Sequence, residues 1–142
     1  HAHRNLMVVT NNLNVANILA ANPSCDVMVA GGSLRRSDGG LVGDLAALAI
    51  DRFKVDFAVI GTSAIDLSGD LLDFDPEEVR VSQQVIDAAR ATVLVADSSK
   101  FTRKAPVKIA SLAQVDHFVT DHIPSEVLIG KCADWGTQLL RV

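Results

Sequence analysis

The sequence predicts an α/β fold in which a mostly parallel sheet is covered by helices. Three observations carry that prediction. Short continuous apolar runs alternate with longer segments of helical period, the signature of βαβ units. Apolar residues make up 49% of the chain and aromatic ones only 4%, so the core must be built from Val, Leu, Ile and Ala, the usual filling of parallel sheets. Each apolar run also stops at Gly, Asn, Ser or Asp, where a strand leaves the core.

Taken in order, the strands are expected at Leu6–Thr10, Asp26–Ala30, Asp56–Ile60, Thr92–Ala96, His117–Thr120 and Gln138–Val142, where β-branched content favours extended chain. Helices are expected at Leu13–Ala21, Val42–Phe53, Pro76–Arg90 and Ser125–Asp134. The helix at Pro76 has the clearest start: Asp75 can cap the first turn, Pro76 suits the first helical position, and Glu78 stands three after Asp75 as in a capping box. Val79, Ile86 and Ala89 then share one face with Ser82. Val42–Phe53 is apolar on nearly all sides and is expected to be sandwiched.

At 142 residues the chain is expected to form a single domain, 1–142, with one core. A net charge of −4 provides no basic patch, so any contact with DNA has to come from outside this stretch. Cys25 and Cys132 lack C-x-x-C spacing and are expected to be reduced core thiols. No apolar run reaches the roughly 18 residues of a membrane span, and no signal sequence opens the chain; a soluble, cytoplasmic protein without a membrane partner is expected. The opening HAHRNL enters a strand almost at once, which suggests a piece of a longer protein. No histidine arrangement suggests a metal site, and there is no nucleophile elbow, Walker loop or dinucleotide fingerprint. No catalytic residue, metal or cofactor is therefore assigned.

In an open parallel sheet, ligands bind beyond the carboxyl ends of the strands, where loops diverge and backbone amides point inward. Those ends read Asn11-Asn12, Gly31-Gly32-Ser33, Gly61-Thr62-Ser63, Asp97-Ser98-Ser99-Lys100 and Asp121. Asn11 and Asn12 can hydrogen-bond a polyhydroxy ligand or cap the following helix. Asn14 and Asn17 read as a solvated or hinge-facing edge. Gly31 and Gly32 offer unhindered amides to a phosphate or form a tight turn. Arg35 and Arg36 can clamp an anion, or stay solvated or face another subunit from a mobile loop. Lys100 can pair with a phosphate or lie as an exposed loop lysine. Glu78 can accept sugar hydroxyls or complete the capping box.

Together and in this order, TNNLNVAN, AGGSLRRSDGGLVG, DFAVIGTSAID, GDLLDFDPEEVRVSQQVI and VLVADSSKF resemble the effector-binding domain of DeoR-family bacterial transcriptional regulators, over nearly the whole chain. TNNLNVAN, LDFDPEEVRVSQ and ADSSKF look most like the glycerol-3-phosphate regulon repressors of that family. The resemblance implies a three-layer α/β/α fold related to ribose-5-phosphate isomerase and glucosamine-6-phosphate deaminase. It also implies a phosphorylated sugar or polyol as effector, and DNA binding through an amino-terminal winged helix-turn-helix absent from this sequence. Carried over by motif, the ligand-binding set is Thr10, Asn11, Asn12, Gly31, Gly32, Arg35, Glu78 and Lys100. Two departures stand out: a D-x-G-T-T type loop, which in the family helps to cradle the phosphate, does not occur, and Ser82 stands where many relatives have lysine. Self-association is expected. The competing expectation, from the fold relatives, is an isomerase or deaminase with Glu78 as base and Lys100 on the phosphate.

Overall fold

A computed structural model describes residues 6–142, folded as two compact units that meet in sequence at Phe53 and Lys54. In the first unit, β1 (Leu6–Thr10) and β2 (Cys25–Val29) pair in parallel, Val8 opposite Val27, joined by α1 (Leu13–Ala20). A short antiparallel hairpin follows, β3 (Ser33–Leu34) with β4 (Leu41–Val42), and then α2 (Asp44–Asp51). The expected helix at Val42 thus starts two residues late, because Val42 pairs across the hairpin with Ser33. Nor is that helix sandwiched: Ala46, Ala47 and Ile50 are buried, but Leu45 and Leu48 are exposed.

The second unit runs β5 (Val55–Ile60), β6 (Ala64–Ile65), β7 (Asp70–Asp73), α3 (Pro76–Ala88), β8 (Ala89–Val95), β9 (Val107–Ser111), β10 (His117–Thr120), α4 (Glu126–Trp135) and β11 (Gln138–Arg141), with 3-10 turns at Ser98–Thr102 and Leu112–Gln114. Its main sheet is wholly parallel, in the order β11-β10-β8-β5. A second sheet, β6-β7-β9, is antiparallel and has no counterpart among the predicted strands. The chain is therefore a mixed α/β fold with a parallel sheet flanked by helices, of the expected class.

Pleating explains how the parallel sheet is held. Ile60, Leu94 and Phe118 lie in register on one face, in a core completed by Val79 of α3 and by Leu128 and Cys132 of α4. Phe118, Leu94 and Leu128 are fully buried, each stabilising the fold by about 2 to 3 kcal/mol. On the opposite face Phe57, Val59, Val95 and Leu140 are exposed. Helix α3 starts where expected, with Asp75 accepting the Glu77 N–H at 2.9 Å. It ends two residues short of Arg90: Ala89 opens β8 and is not on the helix face with Val79 and Ile86. Cys132 is a buried thiol, and burial pushes its pKa up; Cys25 is only half-buried.

Candidate functional site

Because β1 and β2 are adjacent and parallel, their carboxyl ends place Thr10, Asn11 and Asn12 beside Gly31 and Gly32. The structure shows what those polar groups do within the unit. Asn12 caps α1, its Oδ1 accepting the N–H groups of Asn14 (2.9 Å) and Val15 (3.1 Å). Its Nδ2 donates to the Asp38 carbonyl at 2.9 Å, joined there by Asn14 Nδ2 at 3.2 Å. Asn11 Nδ2 donates to the Leu41 carbonyl (2.9 Å), and Thr10 Oγ1 accepts the Asn12 N–H (3.1 Å). The amides thus fasten the 33–42 hairpin onto the start of α1. Asn17 is exposed, as expected of a solvated edge.

The two glycines differ. Gly31 has open space where a side chain would stand. Gly32 has φ +148°, and a Cβ there would fall 2.5 Å from the Val42 carbonyl oxygen, so only glycine fits. Arg35 faces its own loop, with Nη2 3.5 Å from Asp38 Oδ2. The same unit holds a cavity of about 430 Å³, walled by Val9, Met28, Val29, Leu45, Leu48 and other apolar groups, with Arg52 its one charged lining residue. Its lining suits an apolar group better than a polyhydroxy anion.

In the second unit the register of the parallel sheet brings Asp97 after β8, Asp121 after β10 and Val142 after β11 to one rim. They line a cleft of about 320 Å³ with Val95, Ala96, Lys100, Val119 and Thr120. Asp97 caps the turn that carries Lys100: its Oδ1 accepts the Ser99 N–H at 2.8 Å and, more closely, the Ser99 hydroxyl. Those bonds, the hydroxyl's foremost, hold the Asp97 carboxyl below the ordinary aspartate range, with the Lys100 charge adding to the effect. The Lys100 side chain makes no hydrogen bond or ion-pair contact of its own among the described residues. A cleft with one available ammonium, a carboxylate acceptor on Asp97 and an apolar floor can hold a small anion that carries hydroxyl groups.

Glu78 is half-buried in the first turn of α3 and does not line this cleft. The end of β5 serves the fold: the buried Thr62 hydroxyl reaches the carbonyls of Ala64 (3.0 Å) and Leu72 (2.9 Å), and Ser63 donates to Asp73 (2.9 Å). The sequence shows Ser98 and Asp121 at two separate strand ends but not their contact: the Ser98 N–H and hydroxyl both reach the Asp121 carboxylate. Only strand order reveals that pairing, since 23 residues separate the two. Among the described residues no group of three or more His, Cys, Asp or Glu could hold a metal ion, and no helix is long and apolar enough to cross a membrane.

Fold and rim are those of an α/β module with a cleft at the carboxyl ends of its parallel strands. Comparison with known proteins specifies the family: a family model described as DeoR C terminal sensor domain matches residues 1–122, and the chain belongs to that family. It is 46% identical over 126 residues to a glycerol-3-phosphate regulon repressor of Haemophilus influenzae, covering 89% of this chain and 49% of the relative. To the glycerol-3-phosphate regulon repressor of Escherichia coli K12 it is 42% identical over 137 residues, 96% of this chain and 54% of the relative. To the HTH-type transcriptional repressor CsqR of the same organism it is 39% identical over 138 residues, 97% and 53%. The chain spans about half the length of these relatives. All three carry the names of transcriptional repressors, which favours the regulator expectation over the isomerase or deaminase one.

Proposed function

We propose that this sensor domain binds a phosphorylated polyol or sugar, with glycerol 3-phosphate the first choice. Occupancy then modulates DNA binding by a helix-turn-helix module outside this stretch of chain. The observation that supports this best is the Lys100 ammonium, lining the rim cleft with no direct protein partner of its own among the described residues. The names of the similar repressors favour glycerol 3-phosphate as the ester. The two units act as one effector-binding domain, and the family match running across their boundary supports that reading. By family motif, Thr10, Asn11, Asn12, Gly31, Gly32, Arg35 and Glu78 are further ligand-binding candidates. A cytoplasmic location follows from a ligand and a DNA target that are both intracellular. Homo-oligomerisation follows from the exposed apolar side chains of the parallel sheet, Phe57, Val59, Val95 and Leu140, which need cover; sedimentation velocity tests it.

Regulation requires the ligand to prefer one arrangement of the protein over another. A thermal-shift titration tests the binding step: glycerol 3-phosphate at a hundred times its Kd should stabilise the chain by about 2.7 kcal/mol. Free glycerol at the same concentration should leave the melting temperature unchanged. Equal responses to the two compounds would show that the phosphate is not what is sensed.

A further inference from the structure

We infer that Asp121 is a positioning residue for the effector: it does not touch the ligand but fixes the turn that presents Lys100. This rests on the sensing role proposed above. The 3-10 turn Ser98–Thr102 is held locally by Asp97 at its start and by Thr102, whose hydroxyl donates to the Ser99 carbonyl at 2.8 Å. Local bonds shape a turn but do not orient it on a sheet.

Orientation comes from two distant anchors. One is apolar: the Phe101 ring packs on Phe118 in the core, centroids 6.3 Å apart. The other is the Asp121 carboxylate at the end of the neighbouring strand β10. Its Oδ1 accepts the Ser98 N–H at 2.7 Å, and its Oδ2 accepts the Ser98 hydroxyl at 3.2 Å. Lys100 lies between Ser98 and Phe101 in sequence, and so between the two anchors.

Asp121 is poorly suited to touch the ligand itself. Besides the two Ser98 bonds, its Oδ1 accepts the His122 N–H (2.9 Å) and the Thr120 hydroxyl (3.4 Å), so both carboxylate oxygens are already engaged within the protein, Oδ1 three times and Oδ2 once. These bonds, the Ser98 N–H foremost, hold its pKa below the ordinary aspartate range, so the clamp stays ionised at neutral pH. Asp97 differs: both its bonds fall on Oδ1, and among the described residues Oδ2 receives none, which leaves an acceptor on a residue that lines the cleft with Lys100.

The test is a double-mutant cycle on this chain with glycerol 3-phosphate as probe, read by calorimetry. Asp121→Asn should weaken binding about tenfold, because an amide nitrogen then opposes the Ser98 donors. In a Lys100→Ala background the same change should have no further effect, since Asp121 acts through Lys100. Wild-type affinity in Asp121→Asn, or losses that multiply in full in the double variant, would overturn the assignment. If Asp121→Asn does not fold, Ser98→Ala, which removes one clamp bond and keeps the backbone one, carries the same cycle with a loss of about threefold. A wild-type chain indifferent to glycerol 3-phosphate sinks the sensing role and the positioning role with it. A responsive wild type with an equally responsive Asp121→Asn sinks the positioning role alone.

Discussion

The two units treat the polar ends of their strands in opposite ways. In the first, Asn11, Asn12 and Asn14 turn their amides back onto the carbonyls of Leu41 and Asp38, and Arg35 turns to Asp38. In the second, Asp121 and Asp97 bind their own turn, and the Lys100 ammonium is left at a cleft. A polar strand end is therefore not one kind of object. Where a long loop returns over the rim, side-chain amides satisfy its backbone; where the next element is a tight turn, the cation stays available.

That contrast is open to direct attack. The largest effect is expected at Gly32→Ala, where a Cβ against the Val42 carbonyl forces backbone apart: about 3 kcal/mol of stability lost, measured by chemical denaturation. Gly31→Ala beside it should stay within about 0.5 kcal/mol, since the space there is open. Next comes Lys100→Ala, expected to lower glycerol 3-phosphate affinity at least about tenfold while the ligand-free melting temperature holds within roughly 2 °C. Asn12→Ala should show the reverse emphasis: about 1 kcal/mol of ligand-free stability lost with the cap and the hairpin latch. If Asn12→Ala melts like the wild type, the amides are not holding the hairpin and the contrast fails.

The smallest effect is in pH. Asp97 and Asp121 have folded-state pKa values below their unfolded ones, so what they contribute is complete above the ordinary aspartate value of about 3.9 and is lost as pH falls through the lower folded-state values. The melting-temperature gap between wild type and Asp121→Asn should accordingly be flat from about pH 5 to 8 and close only below about pH 4. A gap that changes near neutrality would point to a different titrating group at the clamp.

Much of the frame was legible in the sequence because it follows from periodicity and caps. LMVVT and HFVT are unbroken extended runs and form β1 and β10 as predicted, and Asp75-Pro76 marks the start of α3 to the residue. The β6-β7-β9 sheet was not legible: AI and DLLD are too short to show a period, and the β9 partner of β7 lies beyond α3 and β8. Boundaries moved where tertiary pairing outweighed local pattern, as at Val42 and Ala89. At the site, Lys100 and Asp121 were visible as strand ends. The engagement of Asn11 and Asn12 was not, because it depends on a loop that returns from residues 38–41 to meet them.

Gly69 offers a practical consequence. A side chain there would press within 3.0 Å of the Trp135 indole, the ring that closes α4 just before β11 begins. The chain has one tryptophan and no tyrosine. Its near-ultraviolet emission therefore comes almost entirely from a single fluorophore, seated near the amino end of β11 and away from the rim that carries Lys100. Melting of the second unit can be followed by that light alone, without a dye and without interference from whatever occupies the cleft.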